Sequence, residues 1–243
     1  MNINVAQWIG KRGEQEDAYA YRHYPEGSLA VVCDGMGGHD CGSLAASTAA
    51  NAFVEAFDKV EGNTVADKLR AALDKANEAV AEFFKKRSSY GGTTLLAVYC
   101  GGGVMWWVSV GDSPLLLWRF GRLMRKNEDH SMRAIYGDFV RSGAMKFEEA
   151  MAHGHSLRSA VTGEKIPLVH APITPEPLLP GDRIILASDG VDELLLPEPM
   201  APETRQLLDT RGGNLAAEIV DACKSLEDPN ADNVTVITMD YGD

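Results

Sequence analysis

The sequence predicts an α+β chain, two antiparallel sheets face to face with helices outside, in a four-layer αββα sandwich. Three observations lead there. Strand-length apolar runs come in groups. Helical periodicity comes in separate blocks between those groups. The steady strand-helix alternation of a parallel sheet is missing.

The opening Ile3 to Trp8 alternates as a strand, and Ser28 to Cys33 is a second apolar run that ends at Asp34. Gly42 to Val60 is rich in alanine, with Leu44, Ala45, Phe53 and Phe57 on compatible faces, and reads as a helix. Thr64 to Arg87 is a clearer one. Leu69, Ala72, Leu73, Ala76, Val80, Phe83 and Phe84 recur at three-and-four spacing, Asn63 or Thr64 is placed to cap it, and Asp67 sits near its positive end. After Gly91-Gly92 the pattern turns to strands, at Thr93 to Cys100, Val104 to Val110 and Pro114 to Phe120, expected as an antiparallel meander. From about Glu128 to Ile173 the chain is polar and irregular, with short helices expected at Met132 to Ser142 and Phe147 to Ala152. Loops this long usually serve function. Arg183 to Ala187 returns as a strand, Asn214 to Leu226 is an amphipathic helix, and Val234 to Met239 is the last strand.

Of 243 residues, 45% are hydrophobic, enough for a real core, and no Pro/Ser-rich linker divides them. The longest apolar runs, Leu95 to Cys100 and Val104 to Val110, are too short to span a bilayer. The start, Met1-Asn2-Ile3-Asn4, lacks a basic, apolar secretory signal, so a cytoplasmic protein with no membrane partner is expected. Lys plus Arg number 23 against 35 Asp plus Glu, a net charge of -12. That is the wrong sign for holding a phosphate backbone, and nucleic acid is excluded as a partner. Cys33, Cys41, Cys100 and Cys223 have no C-x-x-C spacing; Cys33 and Cys100 end apolar runs and read as buried thiols.

Five acidic signatures remain: Arg12-Gly13-Glu14-Gln15-Glu16-Asp17, Asp34-Gly35-Met36-Gly37-Gly38, Gly111-Asp112-Ser113, Ser188-Asp189-Gly190 and Asp232-Asn233. Most place a carboxylate where an apolar run ends or at a glycine beside it, which gathers them along one edge of packed sheets. Two carboxylates ~4 Å apart repel by about 4 kcal/mol at an effective dielectric near 20. Several such pairs rival a whole fold's ~5–15 kcal/mol, so protons or bound cations must relieve them. Carboxylate and carbonyl oxygens suit magnesium or manganese, and the lack of paired Cys or His ligands disfavours zinc and copper.

These motifs, with Gly10-x-Arg12-x-x-x-Glu16-Asp17, Gly91-Gly92-Thr93-Thr94 and Asp129-His130-Ser131 in the same order, resemble the metal-dependent protein phosphatases, the PPM or type 2C Ser/Thr family, and most of all its bacterial members. The resemblance runs from about Trp8 to Met239. It implies a single phosphatase domain over 1–243 with a flap at about 131–170, and two to three manganese or magnesium ions. By it, Asp34 bridges two metals, Asp189 and Asp232 complete one site, and Glu16 with the Gly35 carbonyl serves the other. Asp112 and Asp189 match a third, weaker site. Arg12 matches the residue that binds the substrate phosphoryl group, and Asp17 and Asn233 match supporting positions.

The activity implied is hydrolysis of phosphoserine and phosphothreonine in proteins. A hydroxide bridging two ions attacks phosphorus in line, without a phosphoenzyme, and the guanidinium of Arg12 grips two phosphoryl oxygens as a lysine cannot. The implied partner is a phosphoprotein, such as a bacterial Ser/Thr kinase or its targets, and the expected state is a monomer. Met36 departs from the histidine common in eukaryotic members and cannot protonate a leaving alcohol.

Blander readings stand beside these. By itself Arg12 is a surface ion-pair partner of Glu14, Glu16 or Asp17, Asp112 shapes a turn, and Asp17 only supports. His39 and His130 read as turn and packing residues, and His153 and His155 as exposed ones. The alternative for the whole chain is a catalytically silent binding or regulatory module of the same fold, or a phosphatase of small phosphomonoesters.

Overall fold

A computed structural model describes the chain except for residues 38–39, 63, 88, 147–148, 150–153, 155, 198 and 243. The strands are β1 (Asn2–Trp8), β2 (Ala18–Tyr24), β3 (Gly27–Cys33), β4 (Gly35–Met36), β5 (Gly92–Thr93), β6 (Leu95–Gly101), β7 (Val104–Val110), β8 (Leu115–Arg119), β9 (Arg122–Arg125), β10 (Glu176–Pro177), β11 (Arg183–Ala187) and β12 (Val234–Asp240). The helices are α1 (Cys41–Lys59), α2 (Val65–Arg87), α3 (Arg133–Arg141), α4 (Asp192–Leu195), α5 (Pro202–Asp209) and α6 (Leu215–Ser225). One five-stranded antiparallel sheet runs β1-β12-β11-β8-β9, a second runs β10-β7-β6-β3-β2, and β4 pairs with β5.

Period-two alternation explains why the central strands read as unbroken apolar runs: both faces of each sheet are covered. In β3, Leu29, Val31 and Cys33 face α1 and α2, while Ala30 and Val32 face the other sheet. In β11, Ile184 and Leu186 meet them from across the sandwich, and Ile185 and Ala187 turn outward to α6. The result is three apolar layers, one between the sheets and one under each helical layer, which is the αββα sandwich expected from the sequence. The α1–α2 pair packs through Ala45, Ala46, Ala49, Ala72 and Ala76, all fully buried, since small side chains let helix backbones approach. Thr64 Oγ1 accepts from the Asp67 N–H and Asp67 Oδ2 accepts from the Thr64 N–H, both at 3.1 Å, a reciprocal cap for α2.

The expected meander is corrected by the sheet order. β6 and β7 pair, but β7 and β8 lie in different sheets, and Gly111-Asp112-Ser113 is the corner that carries the chain between them. A hairpin turn and a sheet-to-sheet corner leave the same alternation on either side. Gly111 has φ 98°, and a Cβ there would lie 2.6 Å from the Thr94 side chain, so the corner requires glycine. The expected helix at Phe147 to Ala152 falls almost wholly outside the described residues. Several elements had no expectation attached, β2, β9 and α5 among them. β2 packs only Ala18, Ala20 and Tyr24 against the core, each partly buried, and exposes Tyr19 and Tyr21; β9 is four residues with an arginine at each end; and α5 buries only Thr204 and Leu208.

Candidate active site

Antiparallel pairing decides where the acids meet. β2 starts after Asp17 and β3 ends before Asp34, and the pair Ala18 and Cys33 puts both at one end of the second sheet. In the first sheet, Asp189 follows β11 and Asp232 precedes β12, and the pair Ala187 and Val236 puts those at one end too. Asp112 lies in the corner that joins the sheets. Arg12, Glu16, Asp34, Gly35, Asp112, Asp189, Asp232 and Asn233 all line one cleft of about 390 Å³. Met36, Thr94, Ser156 and Leu157 share it.

Close backbone contacts fix this edge. Asn233 Oδ1 accepts from the Glu16 N–H at 2.7 Å, and its Nδ2 donates to the carbonyls of Ile9 and Glu14 at 2.8 and 3.0 Å, holding the loop after β1 against β12. Asp34 is held by the threonine pair. Its N–H donates to Thr94 Oγ1 at 2.9 Å, and its carbonyl accepts from the Thr94 N–H at 2.8 Å and Thr93 Oγ1 at 2.9 Å. A Cβ on Gly35 would lie 2.3 Å from the Gly42 carbonyl oxygen, and one on Gly42 would lie 2.2 Å from Glu16 Oε1. Glycine at both positions is therefore what lets the Glu16 side chain lie against the start of α1.

The corner at Asp112 has its own brace. His130 Nδ1 accepts from the Gly111 N–H at 3.3 Å, Asn127 Nδ2 donates to the Ser113 carbonyl at 2.9 Å, and Arg125 Nη2 donates to the Asp112 carbonyl at 2.6 Å. His130 is thus a packing histidine that shapes the corner. His39, His153 and His155 lie outside the described residues.

The acids feel one another. Asp34 is driven well above the usual carboxylate range by burial and then by Asp17, Asp189, Asp112 and Asp232. Asp112 is pushed up to about 7 by burial and then by Asp189 and Asp129. Asp17 also rises to about 7, with burial outweighing hydrogen bonds from Ser188 Oγ and Thr235 Oγ1, each 2.7 Å from its Oδ2. Glu16 is raised by burial and by Glu14. A cleft in which proton affinity is raised at four carboxylates is one in which cation affinity is raised as well.

Arg12 does not pair with its sequence neighbours Glu14, Glu16 or Asp17. Its Nη2 lies 2.6 Å from Asp232 Oδ2, with both side chains substantially exposed. Among the described residues, no three His, Cys, Asp or Glu side chains converge closely enough to form a ready-made ion site; the acids share a cleft and an electrostatic field. Residues that the sequence reading assigned no role include Arg125, Asn127 and the pair Arg133 with Asp192. Ser156 and Leu157 reach the cleft through bridges that tie Leu157 to Ser131, and no local pattern signals them.

The fold has counterparts. A family model described as Protein phosphatase 2C matches residues 9–222. Serine/threonine protein phosphatase PstP of Mycobacterium tuberculosis is 30% identical, over 96% of this chain and 43% of its own length, so the chain spans less than half of that curated relative. Serine/threonine phosphatase stp of Listeria monocytogenes is 25% identical, over 87% of this chain and 84% of its own. Among solved structures, the catalytic domain of PstP in complex with two manganese ions matches with a TM-score of 0.76 at 27% identity, covering 98% of this chain and 96% of that one. With the family model running from Ile9 to Ala222 and the manganese-bound structure covering 98% of the chain, the chain belongs to the bacterial PPM, or protein phosphatase 2C, family of Ser/Thr phosphatases.

Proposed function

We propose that the chain hydrolyses phosphoserine and phosphothreonine in proteins with the help of two to three manganese or magnesium ions. The observation that carries this reading is the gathering of Glu16, Asp34, Asp112, Asp189 and Asp232 on one cleft with Arg12. The donor set fits such ions. Every carboxylate and the Gly35 carbonyl is a hard oxygen ligand, and buried Asp17 Oδ1 has no hydrogen-bond partner among the described residues. Asp34, Asp189, Asp232, Glu16 and the Gly35 carbonyl would hold two such ions, and Asp112 with Asp189 would hold a third.

Bound ions supply Lewis acidity, neutralising phosphoryl charge and making water a competent nucleophile at neutral pH. The chain's own residues do the rest. Arg12 exchanges Asp232 for the phosphoryl oxygens and grips two of them. Asp17, fixed by Ser188 and Thr235, and Asn233, fixed to both flanking loops, hold the acids in place. Water attacks phosphorus in line, the ester bond to the seryl or threonyl oxygen breaks, and no phosphoenzyme forms; no cysteine or histidine is among the described residues of the cleft. Met36 has no proton to give, so the departing oxygen takes one from water. The segment at 131–170 acts as a flap, and the whole of 1–243 as one catalytic domain. The partner is a phosphoprotein such as a Ser/Thr kinase or its targets, met in the cytoplasm by a monomeric phosphatase. No helix among the described residues is long and apolar enough to cross a membrane.

Phosphate release from a phosphopeptide, measured with manganese and with chelator, tests this. Asp34→Asn and Asp189→Ala are expected to abolish turnover, and Arg12→Ala to raise KM and lower kcat. Turnover that survives chelation overturns the reading. The Arg12–Asp232 ion pair favours a second reading, a silent binding module whose guanidinium takes the place of a cation. Calorimetry decides between them, since that module binds no manganese.

A further inference from the structure

Beside β9, the outer strand of the first sheet, runs a groove of about 590 Å³. Leu123, with Leu116 and Trp118 on the same face of the sheet, forms one apolar wall, and Leu196, Pro197 and Met200 the other. Arg122, Arg125 and Arg205 line it, and no carboxylate is among its described lining residues, although the chain carries a net charge of -12. Arg125 is paired with Asp129 at 3.3 Å, which leaves Arg122 and Arg205 as the groove's unmatched charges among the described residues.

The strand edge beside the groove is open among the described residues. The Lys126 N–H donates to the Leu115 carbonyl at 2.8 Å. By the alternation of an antiparallel ladder, the backbone groups of Leu123 and Arg125 then face away from β8. Such an edge is a template for another extended chain. Arg205 donates to the Gly121 carbonyl at 2.8 Å; neither it nor Arg122 has a carboxylate partner among the described residues. At the hairpin tip, Phe120 is 84% exposed and holds φ 52°, a backbone choice that costs an aromatic residue energy and presents it to solvent. Arg125, which lines the groove, also holds the carbonyl of Asp112, a residue of the catalytic cleft.

We propose that this groove receives an extended acidic segment of the phosphoprotein substrate. The segment adds as a strand to β9, sets carboxylates on Arg122 and Arg205, and lodges alternate apolar side chains between Leu123 and Pro197. Substrate choice then comes from a surface outside the catalytic cleft. The proposal rests on the phosphatase reading for calling the occupant a substrate; the binding itself does not.

Fluorescence anisotropy of a labelled peptide of alternating glutamate and valine tests it, beside a lysine-valine control and a glutamate peptide N-methylated at alternate residues. The full chain is expected to bind the glutamate peptide in preference to both. The double variant Arg122→Glu, Arg205→Glu is expected to bind it about tenfold more weakly or worse, while hydrolysing a small aryl phosphate with manganese at the unchanged rate, which also reports its folding. Equal binding by variant and parent, no preference for glutamate over lysine, or capture of anionic vesicles in place of the peptide overturns the proposal. Full binding of the N-methylated peptide overturns strand addition. Absence of aryl phosphate hydrolysis in the parent counts against the phosphatase reading alone.

Discussion

His130 shows how much one side chain can be asked to do without touching a substrate. Its Nδ1 accepts from the Gly111 N–H, and it is 2% exposed. Burial, which outweighs the pull of Glu128, lowers its pKa below the ordinary 6.5. The unfolded chain therefore binds a proton there near pH 6.5 that the folded chain refuses. Stability contributed by neutral His130 is present above that pH and is lost as the pH falls through and below it. Between about pH 7.5 and about pH 5.5, where protonation of Asp17, Asp34 and Asp112 pulls the other way, the denaturation midpoint of the parent is expected to fall relative to that of His130→Gln; parallel slopes would refute this. The sequence displayed Asp129-His130-Ser131 as a motif, yet the His130 partner is a backbone N–H nineteen residues away, which no spacing encodes. Asp34 and Asp189 were legible because each closes an apolar run, and Asp232 because it precedes one. The Arg12 partner was not, because an exposed ion pair is chosen by tertiary placement.

Among the elements, the outer layer of the first sheet depends on one buried cation. Arg183, 1% exposed, donates from Nε to Asp240 Oδ1 at 2.8 Å and from Nη1 to the carbonyls of Leu208 and Thr210 at 2.9 and 2.5 Å. It thereby fastens β11 to β12 and to the end of α5. Removing one partner of a buried pair leaves the other uncompensated, so Arg183→Ala is expected to cost about 3–5 kcal/mol in urea denaturation. The double variant Arg183→Met, Asp240→Leu is expected to recover part of that; a double variant no better than the single one would show that the carbonyl contacts dominate. At this scale the apolar strands and α1, α2 and α6 were readable from periodicity. β2 and β9 were not, since edge strands with small or charged residues carry a weak alternation, and the change of sheet after β7 was hidden because period two is blind to which sheet a strand joins.

Taken whole, the molecule is a sandwich whose electrostatic strain is concentrated at one end. Asp17 and Asp112 are pushed up to about 7 and Asp34 well above the usual carboxylate range, so divalent cations that bind only the folded chain are expected to stabilise it strongly. At a concentration one hundred times the dissociation constant the gain is about 2.7 kcal/mol, a rise in Tm of roughly 5–10 °C for a chain of this size. Calorimetric scans with manganese and with chelator measure it, and the rise is expected to vanish in Asp34→Asn. A shift that persists in that variant would place the binding elsewhere.

β1 and β12 pair along their full length, from Asn2 opposite Asp240 to Trp8 opposite Val234, and the amide of Asn233 clasps the loop that carries Arg12 and Glu16. The loop after β1 is thus set in place by a residue made 217 positions later. During translation every fragment that stops short of β12 lacks the clasp, and the cleft closes only once that strand has emerged and docked.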